Sequence, residues 1–315
     1  MINIPQEIKH WLRDVFRRAG VLASAKLTHN PFAYEEHLDI SVVECLQQVA
    51  VPVQFSGGWT VHIDTHFLGK VPMFGNFEVA DIGILVIFRT ASRFVRSKVA
   101  LLQSKRLYPL GLRVETESQR RRRYGIGFGR LFADDNDFGE LVSSRKVKFA
   151  KTSTYKALRG RSQQTTVIDD YEKHTQIPVY YLLYNPFVIP HTVHVPAPPF
   201  SGEPNESDCH VGARVVPAAD MHRLLRSSTR SPSYSQLVSK LPKLFSAPED
   251  RGGWTLEKFV VDLLLQCKVG RVTDVRSDEG LFRVFYRRSG PMAAALSVTI
   301  DAPAEFDWSV VPDGD

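Results

Sequence analysis

Two apolar segments separated by a short polar turn constrain the fold of this chain more than any other feature. The first segment, FEVADIGILVIF, spans residues 77–88, and the second, KVALLQSKR, spans residues 98–106. Runs rich in branched apolar residues favour strands, and the intervening RTASR favours a hairpin turn. The segment at 59–67 predicts a strand ahead of them. A β-sheet that contains these strands is therefore expected.

Two helices are expected before the strands. The first carries apolar residues at the spacing of one helical face, namely Ile8, Trp11, Leu12, Val15 and Phe16. Gly20 is its predicted C-terminal stop, because glycine commonly follows the last residue of a helix. The second helix is predicted to begin at Asn30, a favourable N-cap that precedes Pro31, and to break at Pro52.

The remainder of the chain predicts elements of both kinds. They are a helix near 164–174, a buried strand within 177–186, a short helix at 218–225, a helix that opens at Thr255, and strands at 281–287 and 294–300. The order of helix, three strands, helix and strand places the chain in the α/β class. We expect a mixed central sheet flanked by helices, with an α+β extension at the C-terminus.

Composition excludes several classes of protein. The hydrophobic fraction of 43% and the charged fraction of 23% are ordinary for a globular protein, and the longest apolar run, Ile82–Phe88, is too short to cross a bilayer. Cys45, Cys209 and Cys267 lie far apart without a CxxC pair, which argues against a disulfide framework. A cytoplasmic protein without a membrane segment is therefore expected.

Positive charge is concentrated in the middle of the sequence. Between Arg89 and Arg161 there are 19 lysines and arginines against 6 acidic residues, although the whole chain carries only +6. Such a local excess predicts a polyanion-binding surface, and its main candidates are Arg120, Arg121, Arg122 and Arg123. A second basic group either extends that surface or forms a solvated face, and it consists of Lys146, Lys148, Lys151, Lys156, Arg159 and Arg161.

Three polar residues stand at adjacent ends of the two apolar strands. Asp81 lies near the start of the first, while Gln103 and Lys105 alternate onto one side at the end of the second. Carboxylate and amide oxygens suit a hard cation such as Mg²⁺, which would neutralise charge on a phosphodiester. Lys105 would orient the attacking water or offset negative charge. The alternative is that Asp81 caps a turn and Lys105 begins a surface loop.

This arrangement resembles the PD-(D/E)XK, or restriction-endonuclease-like, superfamily of nucleases over roughly residues 30–186. The sequence departs from the family motif at two positions. Gln103 replaces the usual acid of the D/E-x-K motif, as in Q-x-K members, and Ala80 stands where the family name has proline. The resemblance implies an αβββαβ core and an endonuclease that cuts DNA with Mg²⁺ or Mn²⁺. It also implies a role in restriction or anti-phage defence, or else in repair, and a homodimer or a partner subunit.

The resemblance further implies a metal-binding glutamate in the helix before the first strand. Helical geometry favours Glu35, which falls within the apolar stripe of Leu38, Val42, Cys45, Leu46 and Val49. Glu36 is the second candidate, because a phase error of one residue exchanges the two, and Asp39 lies at the edge of the stripe. The expected metal ligands are Asp81, Gln103 and Glu35 or Glu36, and Lys105 is the expected catalytic lysine.

Two other groups of residues are candidate sites. His191, His194, Cys209 and His210 suggest zinc, but their spacing fits no usual zinc motif. His62, Asp64 and His66 alternate on one strand face near the predicted site, where they either assist it or simply form a polar face.

The predicted organisation has three parts. They are an N-terminal helix over 1–29, a nuclease-like core over 30–190 that contains a basic insertion at 106–161, and a C-terminal accessory region over 191–315. The competing function is a catalytically degenerate nuclease-fold module that binds nucleic acid or a partner protein. A structural subunit without nucleic-acid contact is a third alternative.

Overall fold

The computed structural model describes residues 3–67, 79–91, 93–110, 145–160, 162–195, 202–226, 230–241, 250–273 and 292–306. Its helices are α1 (Gln6–His29), α2 (Glu35–Gln47), α3 (Gln163–Thr175), α4 (Ala218–Leu225), α5 (Tyr234–Lys240) and the π-helical α6 (Lys258–Leu264). Its strands are β1 (Val53–Phe55), β2 (Trp59–Phe67), β3 (Ala80–Thr90), β4 (Arg93–Arg106), β5 (Arg145–Phe149), β6 (Val179–Tyr184), β7 (His191–Val195), β8 (Arg214–Pro217), β9 (Arg271–Thr273) and β10 (Met292–Ala302).

The described strands form a central sheet and a smaller ribbon. The sheet has the order β1-β2-β10-β3-β4-β6-β8, and β9 pairs with the first half of β4. β3 and β4 form the predicted antiparallel hairpin, whereas β6 runs parallel to β4 after the intervening α3. β5 and β7 form a separate two-stranded ribbon. The predicted α/β class, with a mixed sheet flanked by helices, is confirmed.

The C-terminal strand β10 lies in the middle of the sheet, between β2 and β3. It pairs antiparallel with β2, where Ala294 is opposite Phe67, and parallel with β3, where Met292 is opposite Ala80. β2 and β3 are therefore not neighbours, although they follow one another in the sequence. Residues 292–302, which are predicted to lie in the C-terminal accessory region, belong to the central sheet.

Helix α1 continues to His29, so the prediction that it ends at Gly20 is wrong. Gly20 lies inside the helix and faces the rest of the protein. A Cβ at Gly20 would lie 3.7 Å from the Leu256 Cβ and 3.8 Å from the Ala213 Cβ. A Cβ would therefore make only ordinary van der Waals contact at this position, and Gly20 does not terminate the helix.

Helix α2 begins at Glu35, so the predicted start at Asn30 is also wrong. Asn30 instead follows α1, where its backbone N–H donates to the Lys26 carbonyl at 2.8 Å. Its side-chain oxygen accepts a hydrogen bond from the Phe32 N–H at 3.1 Å and stabilises a turn. The Arg106 guanidinium donates to the Pro31 carbonyl at 2.8 Å, and this bond holds the turn at the end of β4.

Helices cover both faces of the sheet around β6. On one face, the Tyr184 hydroxyl donates a hydrogen bond to Asp39 of α2. On the other face, the Tyr181 hydroxyl lies 2.8 Å from the Nε2 of His222 in α4. The His222 Nδ1 lies 2.6 Å from the Asp169 carboxylate of α3, so the two helices are linked by polar groups. All side chains of β6 are buried, as expected for a strand that is covered on both faces.

Several predicted elements agree closely with the structure. β2 and α4 have the predicted bounds, and α3 differs from the predicted helix by one residue at each end. The Thr255 hydroxyl accepts a hydrogen bond from the Lys258 N–H at 3.4 Å, at the start of the last helix. The strand predicted at 281–287 lies outside the described residues. Of the helices that the structure describes, none is both long enough and apolar enough to span a membrane.

Candidate active site

The predicted site lies where β3, β4, β6 and α2 meet. Ile82 of β3 pairs with Leu102 of β4, so the preceding Asp81 stands beside Gln103 across the hairpin. On the other side of β4, Tyr184 at the end of β6 pairs with Arg106. The C-terminal end of β4 therefore lies between the start of β3 and the end of β6.

Asp81 is fixed by hydrogen bonds from β4. Its Oδ2 accepts one from the Ser104 backbone N–H at 2.7 Å and another from the Gln103 Nε2. Gln103 is buried, and its amide oxygen Oε1 has no hydrogen-bond partner. An unpartnered buried acceptor is unfavourable, so this oxygen is a candidate to bind a ligand beside the Asp81 carboxylate.

Glu35 spans the end of β4 from the first turn of α2. Its Oε1 accepts a hydrogen bond from the Arg106 backbone N–H at 3.2 Å, and its Oε2 lies 3.7 Å from the Lys105 ammonium. Lys105 also donates to the Ser104 carbonyl at 2.9 Å. Lys105 is 4% exposed and lies within β4, so the alternative in which it begins a surface loop is wrong. Burial and these two contacts fix the ammonium in place.

Asp39 is a third carboxylate at the same place. It is buried, and its Oδ1 accepts hydrogen bonds from the Ser104 hydroxyl and, at 2.7 Å, from the Tyr184 hydroxyl. Burial raises the pKa of Asp39 well above its ordinary value, and the nearby negative charge of Asp81 raises it further. The hydrogen bonds from Ser104 and Tyr184 oppose these effects, and Glu35 adds a smaller upward shift in the pKa.

Alternation along β4 places these contacts on two sides of the strand. The Ser104 hydroxyl reaches Asp39 of α2, whereas the neighbouring Gln103 side chain reaches Asp81 of β3. The Ser104 backbone N–H links the two groups, because it donates to Asp81 while its side chain donates to Asp39. The carboxylates therefore surround the end of β4, and Ser104 lies at the centre of the arrangement.

The residues at this site are suited to a hard cation. The unpartnered Oε1 of Gln103 is an amide oxygen beside a carboxylate, and both atom types are ligands that Mg²⁺ and Mn²⁺ accept. The carboxylates of Asp81 and Glu35 both raise the pKa of Asp39, so negative charges lie close together here, and a cation would reduce their repulsion. Among the described residues, no three His, Cys, Asp or Glu side chains form a group that could hold a metal. An ion here would therefore need the Gln103 oxygen.

The structure brings together four of the five residues expected at the site. Glu35, Asp81, Gln103 and Lys105 lie at the end of β4, whereas the side chain of Glu36 is exposed. Asp39, Ser104 and Tyr184 join the site, although sequence reasoning had not assigned them to it. A signal for Asp39 was present, because it lies one helical turn after Glu35 and one residue after the buried Leu38.

The histidines singled out in the sequence at His62 and His191 make their described contacts elsewhere. His62 pairs with Asp64 at 3.2 Å on β2, which β10 separates from β3. His191 lies 3.3 Å from the Thr28 carbonyl oxygen. Among the described residues, His191, His194, Cys209 and His210 do not form a group of three side chains that could hold a metal ion. Arg120, Arg121, Arg122 and Arg123 lie outside the described residues, as does Arg161.

Comparison of the chain with protein-family models, with curated proteins and with solved structures found no match.

Proposed function

We propose that this protein is a metal-dependent nuclease that hydrolyses DNA phosphodiester bonds and has a restriction-endonuclease-like core. The observation that carries the proposal is the meeting of Glu35, Asp81 and Lys105 with the unpartnered oxygen of Gln103 at the end of β4. A role in restriction or anti-phage defence, with a second copy or a partner subunit for the second strand, is part of the same proposal.

The order of elements around the site supports this choice of fold. α2 precedes the strands, β3 and β4 form an antiparallel hairpin, and β6 lies parallel to β4 after α3. This is the order that the resemblance implies for the last part of an αβββαβ core. The position of β10 between β2 and β3 is a departure from three consecutive neighbouring strands.

The chemistry follows from what each side chain can do. A bound Mg²⁺ or Mn²⁺ would supply a Lewis acid that neutralises phosphate charge and makes a bound water more acidic. Asp81 and the Oε1 of Gln103 would hold the ion, and Glu35 is the third candidate ligand. Lys105 supplies a positive charge that is held by Ser104 and Glu35, and it can offset negative charge that develops on the phosphate oxygens.

Ser104 and Asp39 position these groups. The Ser104 N–H orients the Asp81 carboxylate, and the Ser104 carbonyl orients the Lys105 ammonium. Asp39 accepts a hydrogen bond from the Ser104 hydroxyl and thereby holds this residue from the side of α2. Groups that support the ligands of a metal are important for its affinity, so we expect both residues to affect activity without contacting the substrate.

Plasmid cleavage by charge-removing variants tests the proposal. Asp81→Asn keeps an oxygen acceptor for Ser104 but removes the negative charge, and Lys105→Met keeps the length of the side chain but removes the ammonium. Wild-type protein should cut supercoiled plasmid with Mg²⁺ or Mn²⁺ and not in EDTA. Each variant should lose about 10²-fold or more of this rate. Calorimetric titration with Mn²⁺ should show weaker metal binding in Asp81→Asn.

Two residues on α3 provide matched controls. Asp170→Asn and Lys173→Met make the same chemical changes at exposed positions, and they should cut at the wild-type rate. Cutting that persists in both Asp81→Asn and Lys105→Met would refute the proposal. DNA binding without cutting in either metal would instead support the degenerate nuclease-fold module, for which the hydrogen bond between Gln103 and Asp81 is the favouring observation.

A further inference from the structure

The ribbon formed by β5 and β7 has one apolar and one basic face. Val147 and Val193 are opposite one another in the register and are buried. The flanking pairs, Lys146 with His194 and Lys148 with Thr192, have exposed side chains. Because side chains alternate along a strand, the exposed residues lie together on the outer face of the ribbon.

Within the described ranges, the lysines on and next to this face have no acidic partner. Residues 145–160 contain six lysines and arginines and no acidic residue. In the described part of the chain, no carboxylate lies within ion-pair distance of Lys146, Lys148, Lys151 or Lys156. A patch of uniform charge attracts an opposite charge from outside the molecule, so the ribbon is suited to a polyanion.

The basic face is attached directly to the candidate active site. After β4 ends at Arg106, the Tyr108 N–H donates to the Thr154 carbonyl at 3.0 Å, and the Leu110 N–H donates to the Lys148 carbonyl at 2.8 Å. These bonds join the chain that follows Lys105 to β5 itself and to the chain that follows β5.

A pair of like charges lies at this junction. The Arg106 guanidinium is 4.0 Å from the centre of the Tyr108 ring, and the Lys156 ammonium is 5.7 Å from the centre of the same ring. The Arg106 Nε is buried without a hydrogen-bond partner. Burial lowers the pKa of Lys156, and the neighbouring charge of Arg106 lowers it further. A phosphate group near Lys156 would reduce this repulsion.

We propose that the outer face of the β5–β7 ribbon, with Lys146, Lys148, Lys151 and Lys156, binds the phosphate backbone of a DNA duplex and leads it to the end of β4. The path of the DNA from the ribbon to the end of β4 rests on the proposed function. Binding of DNA by the ribbon does not require cleavage. The exposed side chains on the paired face are lysine, threonine and histidine, and Tyr108 is buried. Single-strand binding usually relies on exposed aromatic rings, so a duplex backbone is the better match.

Salt-dependent binding to a labelled DNA duplex tests the inference. Binding is measured by fluorescence anisotropy in EDTA, which removes the metal and so prevents cleavage. The double variant Lys146→Ala/Lys148→Ala removes two exposed positive charges from the paired face. Each lost phosphate contact should reduce the slope of log K against log salt concentration by about 0.9. The double variant should therefore lose roughly 2 units of slope, and at ~0.1 M salt it should bind at least about tenfold more weakly.

The matched control is Lys173→Ala/Lys268→Ala, which removes the same charge from exposed positions. Both residues lie near the start of β6, at the end of the sheet away from Lys105: Thr175 accepts a hydrogen bond from Arg271, and the Gly270 N–H lies 3.2 Å from the Tyr180 hydroxyl. The control should keep the wild-type slope. Equal losses in both double variants, no loss in the ribbon variant, or equal affinity for single-stranded DNA would each overturn the inference.

The two proposals can fail separately. Duplex binding that depends on the ribbon, without cleavage in any metal, would leave the ribbon inference standing and remove the nuclease. Cleavage that depends on Asp81 and Lys105, with unchanged binding by the ribbon variant, would do the reverse. The circular dichroism spectrum of each variant should match that of the wild type, because the lysine side chains that are replaced are exposed.

Discussion

Replacing Asp39 by asparagine or by alanine separates the charge of its carboxyl group from its role as a hydrogen-bond acceptor. The carboxyl group is buried and accepts hydrogen bonds from Ser104 and Tyr184. Its pKa is raised by burial and by Asp81, so the folded state favours the protonated form. Asparagine keeps a side-chain oxygen for both hydroxyl groups and cannot ionise, whereas alanine removes the oxygen altogether.

The expected free energies follow from the two buried donors. In Asp39→Ala the hydroxyl groups of Ser104 and Tyr184, both fully buried, lose their acceptor. A buried donor without a partner is unfavourable by about 1–3 kcal/mol, so this variant should lose about 2–6 kcal/mol of unfolding free energy. Asp39→Asn avoids that loss, and we expect its stability to be within about 1.5 kcal/mol of the wild type at pH 5.

The dependence on pH has a definite sign. Because the folded pKa of Asp39 lies above the unfolded one, its contribution to stability is fully present below the unfolded pKa, which is about 4. The contribution is lost as the pH rises through the folded pKa. Asparagine does not ionise, so the stability of Asp39→Asn relative to the wild type should increase between pH 5 and pH 8. Each unit of raised pKa is equivalent to about 1.4 kcal/mol.

Urea unfolding in EDTA, followed by tryptophan fluorescence at pH 5 and pH 8, measures these differences without interference from a metal. Asp39→Ala should unfold at a lower urea concentration than Asp39→Asn at both pH values. The reasoning is refuted if the two variants are equally destabilised, because hydrogen-bond acceptance would then be irrelevant. It is also refuted if the difference between Asp39→Asn and the wild type is the same at both pH values.

Two glycines give further predictions about stability. Gly20→Ala should raise the unfolding free energy by about 0.5–1 kcal/mol, because alanine is a better residue in the interior of a helix and its Cβ would lie at an ordinary 3.7 Å from Leu256. A lower urea midpoint for this variant would contradict the inference that the site has room for a methyl group. Gly253→Ala should be destabilising by at least about 1–3 kcal/mol, because Gly253 has a φ of 124° and its Cβ would lie 2.7 Å from the Val215 carbonyl oxygen. An unchanged midpoint would contradict that geometry.

Local patterns in the sequence were enough to predict the strands that carry the site. The apolar residues of β3 and β4 are contiguous, and the turn between them is short, so their pairing needs no information from distant parts of the chain. Alternation then places Gln103 and Lys105, and Asp81 is the one acid at the start of the neighbouring apolar strand. The same reasoning failed at Gly20, because a glycine can follow the end of a helix or lie within it, and local spacing does not distinguish the two.

The sequence by itself determined the α/β class, the β3–β4 hairpin and the presence of an acid, an amide and a lysine at its open end. Only the tertiary structure decided that β10 separates β2 from β3, and that Asp39 is buried beneath Ser104 and Tyr184. The physical reason is that periodicity reports which face of an element is apolar and not which distant element covers it. A carboxylate on a helix is ordinarily solvated, and it becomes a buried acceptor only when the donors of two strands are brought to it by the fold.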